Sequence, residues 1–176
     1  MVRVTENLLS VTRVSSGHLS LKKRDEVLEE IIGSAVIKYH KTPGSLPVHV
    51  DISDQILIVS ADAVLLEQVL LNLFDNVSSH GEHATKIWLH IRVEKENVIL
   101  SVEDDGVGIP SALFDQVLDG TVHLIRKQAD SSRNMGIGLS VCRTIIMSHG
   151  GNLQIKKSPH GGAAIEFNLP CKEDLP

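Results

Sequence analysis

The chain contains only two cysteines, three phenylalanines, one tryptophan and one tyrosine among 176 residues. Cys142 and Cys171 are too few and too irregularly placed for a disulfide framework or a cysteine zinc site, which suits a reducing cytoplasm. Aromatics make up 3% of the residues, so the core must be aliphatic. No apolar run approaches the roughly 18 residues that cross a bilayer, and the opening MVRVTENLLS lacks the apolar stretch of a secretory signal. Cationic excess is missing as well: the net charge is -5, the pI is near 6.0, and no basic patch is interleaved with aromatics. No nucleic-acid partner is expected. What is present is 42% hydrophobic residues, enough for one domain with a proper core and a short appendage.

Val4, Leu8 and Val11 recur at helical spacing before Gly17. So narrow a stripe either packs on the domain that follows or is the end of a helix continuing upstream. HLSLKK alternates as a short strand, and Asp25 is placed to cap a helix carrying Val27, Leu28, Ile31, Ile32, Ala35 and Val36 at a 3.6 period. KTPGSLP breaks that helix, and VHVDI and ILIVS read as strands. Asp62 opens the longest apolar helix, DAVLLEQVLLNLFDNVSSH. KIWLHIRVEKENVILSVED follows as an antiparallel hairpin around a Glu-Asn turn. Residues 111–135 show no sustained period, and segments longer than about 12–15 residues without firm structure are functional loops or disordered. GLSVCRTIIMSHGG is a helix stopped by glycine. NLQIKKSPHGGAAIEFNLP is a last hairpin with Leu153, Ile155, Ile165 and Phe167 toward the core, and CKEDLP is a tail. This order predicts an α+β fold, a two-layer sandwich whose mixed, mostly antiparallel sheet is covered on one face by helices.

Three stretches carry possible chemistry. Asn72 and Asn76, four apart on the long helix, share one strip beside the apolar face of Leu66, Val69, Leu70, Leu73 and Val77. Their amide oxygens can ligate a hard cation or bond a phosphate without the repulsion of a carboxylate; two surface or capping asparagines would look the same. In DDGVGIP, Gly106 and Gly108 permit close backbone approach, and Asp104 at a strand end can accept a bond from an amine. A tight turn without a ligand is equally compatible. In NMGIGLSV, Gly136 and Gly138 lead into a helix whose free N–H groups and dipole suit a polyphosphate, although an ordinary flexible start to a helix reads alike. Asn134 fits there because asparagine tolerates left-handed backbone. The ordered combination of the three is poorly explained by the separate alternatives.

That combination resembles the catalytic ATP-binding domain of bacterial two-component sensor histidine kinases, in the Bergerat-fold group with gyrase, the Hsp90 chaperone and the mismatch-repair ATPase. QVLLNLFDNVSSH is similar to the N box, DDGVGIP to the G1 box and NMGIGLSVCRTIIMSHGG to the G2 box, over residues 19–170. VTENLLSVTRVSSGHLSL resembles the end of the dimerisation helix that precedes such domains, and ADAVLLEQVLLNL with MGIGLSVCRTII is most similar to KdpD-type kinases that respond to potassium limitation. The resemblance implies a dimerisation-helix remnant over 1–16, a catalytic domain over 17–170 and a tail over 171–176. It implies ATP and Mg²⁺ as cofactors: Asp104 bonds the adenine amine, Gly106 and Gly108 shape the adenine pocket with Ile109 and His80, Asn76 holds Mg²⁺, and Asn72 sits beside it. Asn134, Gly136, Ile137, Gly138 and Leu139 form the phosphate side, and residues 111–135 the ATP lid. Phosphoryl transfer, mainly a matter of positioning and charge neutralisation, agrees.

In the ATP-hydrolysing relatives the residue four before the metal-binding asparagine is a glutamate that activates water; here it is Asn72, which cannot act as a base. That favours a kinase. Departures from the pattern are Ser79, where the family has a lysine or arginine reaching the phosphates, and a Phe-rich box reduced to Phe114. Arg126, Lys127 or Arg133 would have to supply the missing charge. None of the nine histidines has the acidic neighbour and Arg-x-Pro-Leu of a phosphoacceptor, so the chain is not expected to phosphorylate itself. His80, His83 and His90 show no acidic or cysteine partner in the sequence and read as surface histidines. The expected protein is the cytoplasmic catalytic domain of a membrane-anchored, homodimeric kinase. Its partners are its own histidine-bearing dimerisation domain and a response-regulator receiver domain. The alternatives are a free-standing protein-serine kinase or anti-sigma factor of the same fold, and an interaction module that no longer binds nucleotide.

Overall fold

The computed structural model describes residues 21–53, 55–121 and 135–172. Strand β1 (Arg24–Val27) leads directly into helix α1 (Leu28–His40), followed by β2 (Val48–Asp51), β3 (Ile58–Ala61) and the long helix α2 (Ala63–His80). The hairpin β4 (Ile87–Glu94) and β5 (Asn97–Asp104), a 3-10 turn at Ser111–Leu113 and helix α3 (Phe114–Leu118) come next. Helix α4 (Met135–Ser148), β6 (Leu153–Lys157) and β7 (Ala163–Lys172) complete the described chain. The strands form one sheet in the order β1-β3-β7-β5-β4-β2, with β6 beside the first half of β7. Among the described strands only the β2–β4 pairing is parallel; the others are antiparallel. The expected mixed, mostly antiparallel α+β sandwich is therefore present.

Strand periodicity divides the sheet into two chemically distinct faces. Ile87, Leu89 and Ile91 of β4, Val98, Leu100 and Val102 of β5, and Ile165, Phe167 and Leu169 of β7 are all buried. With Leu153 and Ile155 of β6 they meet Leu66, Val69, Leu70, Leu73, Phe74 and Val77 of α2 in one cluster. Burial of each such side chain contributes about 1.5–3 kcal/mol, enough to fix the register against a one-residue slip. The alternate residues form the opposite face: Trp88, His90 and Arg92, then Ser101 and Glu103, then Glu166, with Gln154 and Lys156. Asp104, by parity, falls on the helix-facing side at the very end of β5. A carboxylate is thereby carried to the rim of an apolar layer.

Local details differ from the sequence expectations at several points. Asp25 does not cap α1; it lies in β1 opposite Ser60, and the N-cap is Val27, with no side-chain bond. Glu29 and Glu30 place negative charge in the first turn instead, and the Glu29 carboxylate accepts from the Leu57 N–H at 3.1 Å. At the next helix the expectation holds: Asp62 caps α2 by accepting from Leu65 N at 3.3 Å. The hairpin turn is Lys95-Glu96, one residue earlier than expected, with Lys95 at φ 56°. Cys171 and Lys172 are not tail but the end of β7, paired with Val59 and Ile58. Residues 111–118 are helical rather than patternless, and α4 begins three residues earlier than expected. The helix expected in 1–16 lies outside the described residues. No described helix is long and apolar enough to cross a membrane.

Candidate functional site

A pocket opens where the end of β5 meets α2 and α4. Leu73, Asn76, Val77, His80 and Gly81 line one wall, Val102, Asp104, Gly108, Ile109, Ala163 and Ile165 the other, with Leu139 at the side. It encloses about 480 Å³, counting the mouth that opens to solvent. Its wall is aliphatic except for Asn76, His80 and Asp104, so a flat apolar group would bury against it while a few polar atoms fix its orientation.

Asp104 is held by backbone alone. Its Oδ1 accepts from Gly106 N at 2.8 Å and its Oδ2 from Ala163 N at 3.3 Å, while its carbonyl accepts from Gly162 N at 3.1 Å. Only 5% of the residue is exposed. Burial pushes its pKa above the usual carboxylate value, against the opposing pull of the two N–H groups. The carboxylate lines the pocket with acceptor capacity to spare, because each oxygen has more than one lone pair. Gly108, at φ +74°, supplies the turn that a residue with a side chain rarely adopts.

The turn after Asp104 is pinned to the loop that follows α2. Asp105 accepts from the backbone N–H groups of Thr85 at 2.7 Å and Lys86 at 3.2 Å and from the Thr85 hydroxyl. These bonds, the Thr85 hydroxyl first, lower its pKa. Val107 N donates to Glu82 O at 3.2 Å. The two aspartates of DDGVG thus divide the work: one faces the pocket and the other ties its rim. Gly162 and Ala163 were not among the residues singled out from the sequence, yet a Cβ on Gly162 would lie 1.9 Å from Asp104 Oδ1. The Gly-Gly pair before AAIEF was the available signal; only strand register links it to Asp104.

The two asparagines separate. Asn76 lines the pocket, and its Nδ2 is buried without a hydrogen-bond partner among the described residues. Gly138 is packed onto it so closely that an added Cβ would stand 3.3 Å from Asn76 Oδ1. Asn72 does not line the pocket; its Nδ2 is likewise buried without a full hydrogen bond, near the Cys142 thiol. Burial pushes that thiol up to about 12, against a smaller downward pull from Asn72. His80, expected as a surface residue and also as part of the adenine pocket, does line the pocket, and burial lowers its pKa. Ser79 is exposed and not among the lining residues. Gly136 and Ile137 fall in the first turn of α4, while Asn134, Arg126, Lys127 and Arg133 lie outside the described residues. Phe114 opens α3, whose Val117 is buried, and Asp119 just beyond it pairs with Arg143 of α4 at 2.5 Å. His90, read from the sequence as lacking acidic partners, is brought within reach of Asp51 and Glu103.

The sequence profile of the family described as histidine kinase-, DNA gyrase B-, and HSP90-like ATPase matches residues 61–173. Among curated proteins, the chain is similar to the sensor protein KdpD of Clostridium acetobutylicum, 32% identical over 97% of this chain and 19% of that protein. It is also similar to KdpD of Escherichia coli, 33% identical over 96% of this chain and 18% of that protein. The chain therefore spans about a fifth of the length of these relatives. Among solved structures, the Acinetobacter baumannii histidine kinase AdeS superposes with a TM-score of 0.71 at 21% identity, covering 96% of this chain and 77% of that one. The ATP binding domain of PrrB from Mycobacterium tuberculosis gives 0.69 at 20% identity, covering 86% and 98%. These likenesses show the fold of histidine kinase ATP-binding domains. With more than half of its residues matched by the profile, the chain belongs to the family of histidine kinase-, DNA gyrase B- and HSP90-like ATPases.

Proposed function

We propose that the chain binds ATP with Mg²⁺ in the pocket between α2, α4 and the end of β5, and acts as the catalytic domain of a sensor histidine kinase of the KdpD kind. The observation that carries this reading is Asp104: a buried carboxylate, fixed by backbone N–H groups on both oxygens, at the polar end of an otherwise aliphatic slot. Such a group selects a flat apolar ring that bears an amine, which is adenine's character. His80, Gly108 and Ile109 shape the same slot. Asn76 supports the phosphate end, where an orphaned buried amide faces the first turn of α4. Its oxygen suits Mg²⁺, which takes one or two protein ligands and completes its shell with phosphates and water. The N–H groups at the start of α4, around Gly136 and Gly138, suit the triphosphate.

In this reading the γ-phosphoryl group leaves the bridging oxygen of ADP and bonds to an imidazole nitrogen on a dimerisation domain, for passage to a response-regulator receiver domain. Asn72 in place of a water-activating carboxylate supports transfer to a side chain over hydrolysis. Residues 1–16 are assigned to the end of the dimerisation helix and 17–170 to the catalytic domain, which the end of β7 extends through Lys172, in a cytoplasmic part of a membrane-anchored homodimer. A response to potassium limitation is the finer part of this proposal; it rests on the KdpD-type motifs, and likeness to two proteins named sensor protein KdpD supports it.

Calorimetric titration of the chain with ATP, with and without Mg²⁺, tests the reading. Metal-dependent binding that Asp104→Asn abolishes, in a variant that still unfolds cooperatively, is the expected outcome: the substitution exchanges an acceptor for a partly mispaired amide at nearly equal volume. Unchanged affinity in the variant removes the adenine assignment. No binding to the folded parent favours an interaction module in which Ser79 has replaced the phosphate-contacting cation.

A further inference from the structure

The polar face of the sheet gathers a second set of reactive groups, away from the pocket. Glu103, 8% exposed, accepts a hydrogen bond from Ser101 Oγ on its Oε1 at 2.8 Å. Its Oε2 is buried with no hydrogen-bond partner among the described residues. A carboxylate oxygen left so is costly unless a cation meets it. Two imidazole nitrogens face that oxygen, Nε2 of His160 at 3.7 Å and Nε2 of His90 at 3.9 Å, and the three atoms lie within 4.8 Å of one another. These separations are too long for hydrogen bonds. Around a zinc ion, ligands at about 2.0–2.1 Å stand roughly 3.3–3.4 Å apart in tetrahedral array, so closure needs only small movements.

The surroundings are those of a metal site. The other ring nitrogen of His90, Nδ1, lies 3.1 Å from Asp51 Oδ2, the carboxylate–histidine pairing that orients a ligating imidazole. His160 is oriented differently, with its ring stacked on Trp88 at a centroid distance of 3.8 Å and an angle of 10°. It sits at the exposed tip of the turn between Ser158 and Gly162, whose two ends are buried. Two imidazoles and one carboxylate select the zinc, cobalt, nickel and copper class over Mg²⁺ or Ca²⁺.

We propose that His90, Glu103 and His160 bind a transition-metal dication of the zinc class, with Asp51 and Trp88 orienting the two rings and a fourth position open to solvent. The ion ties the β6–β7 turn to β4 and β5, and that same turn presents Gly162 and Ala163 to Asp104 on the other side of the sheet.

Zn²⁺ titration of the metal-free 176-residue chain by calorimetry, with Co²⁺ titration read by visible absorption, tests the site. One zinc equivalent binds, Asp51→Asn weakens it about 10–100-fold as outer-shell changes do, and Glu103→Gln and His160→Ala weaken it more. The Co²⁺ bands of a nitrogen- and oxygen-ligated site fade in His160→Ala. That residue is exposed at the tip of its turn, so its variant loses the stacking on Trp88 but still unfolds cooperatively when metal-free, and it decides the matter even where Glu103→Gln fails to fold. Absence of Zn²⁺ binding, or an affinity unchanged in a folded His160→Ala or Glu103→Gln, overturns the proposal and assigns any bound ion to other histidines.

Discussion

Gly162→Ala is the sharpest test of how Asp104 is held. The added Cβ falls 1.9 Å from Asp104 Oδ1, 2.6 Å from its carbonyl oxygen and 2.7 Å from Gly106 N. Two of these atoms are backbone, and a Cβ has no rotamer to escape into, so either the 158–162 turn lifts or the end of β5 moves. Lifting the turn breaks the bond from Gly162 N to the Asp104 carbonyl and that from Ala163 N to the carboxylate. A neutral bond contributes about 0.5–1.5 kcal/mol and one to a charged group about 1.5–3, so the loss is about 2–4.5 kcal/mol. At about 2–4 °C per kcal/mol for a chain of this size, the melting temperature falls by roughly 4–18 °C. Urea unfolding supplies the stability change, and ATP titration of the folded variant supplies a second reading, because under the proposed function a displaced carboxylate no longer meets the adenine amine. Gly33→Ala in α1 is the control: nothing lies within 4 Å of its added Cβ, and relief of helix glycine raises stability by about 0.5–1 kcal/mol. A Gly162→Ala chain as stable as its parent, with unchanged ATP affinity, would refute the packing argument.

Asn76→Asp replaces the orphaned amide with a charge against Gly138, and it weakens Mg²⁺-ATP binding more than adenosine binding in parallel titrations; equal loss of both ligands removes Asn76 from the metal. His149 gives a pH dependence: it is buried, its Nε2 accepts from Asp62 N at 3.0 Å, its Nδ1 bonds Ile145 O at 2.8 Å, and burial lowers its pKa. The unfolded chain takes the proton first, at about pH 6.5, so the contribution of neutral His149 is whole above that pH and is lost as the pH falls below it. In denaturant melts between about pH 7 and 5, His149→Gln reduces this slope, although His80, shifted the same way, keeps part of it; an unaltered slope in the variant counts against His149.

What the sequence could and could not show follows from the range over which each rule acts. Asp62 as a cap, the apolar face of α2 and the alternation of β5 depend on neighbours a few residues away, and these the sequence displays. The asparagine pair shows where such reasoning stops. Residues four apart share an azimuth on a helix but differ by about 6 Å along its axis. One turn is enough to set Asn76 against the pocket and Asn72 beside Cys142. Gly162 meets Asp104, and Glu103 meets His90 and His160, only through the pairings of β5 with β4 and β7. That register is fixed by burying Leu89, Leu100, Val102 and Ile165 on one face, so the same apolar pattern that closes the core also assembles the polar groups on its far side. A single slip of β7 along β5 would move Ala163 off Asp104 and disturb the Glu103 cluster together. The proposed nucleotide pocket and the proposed metal site therefore share one structural determinant, and a variant of the β6–β7 turn that alters one is expected to alter the other.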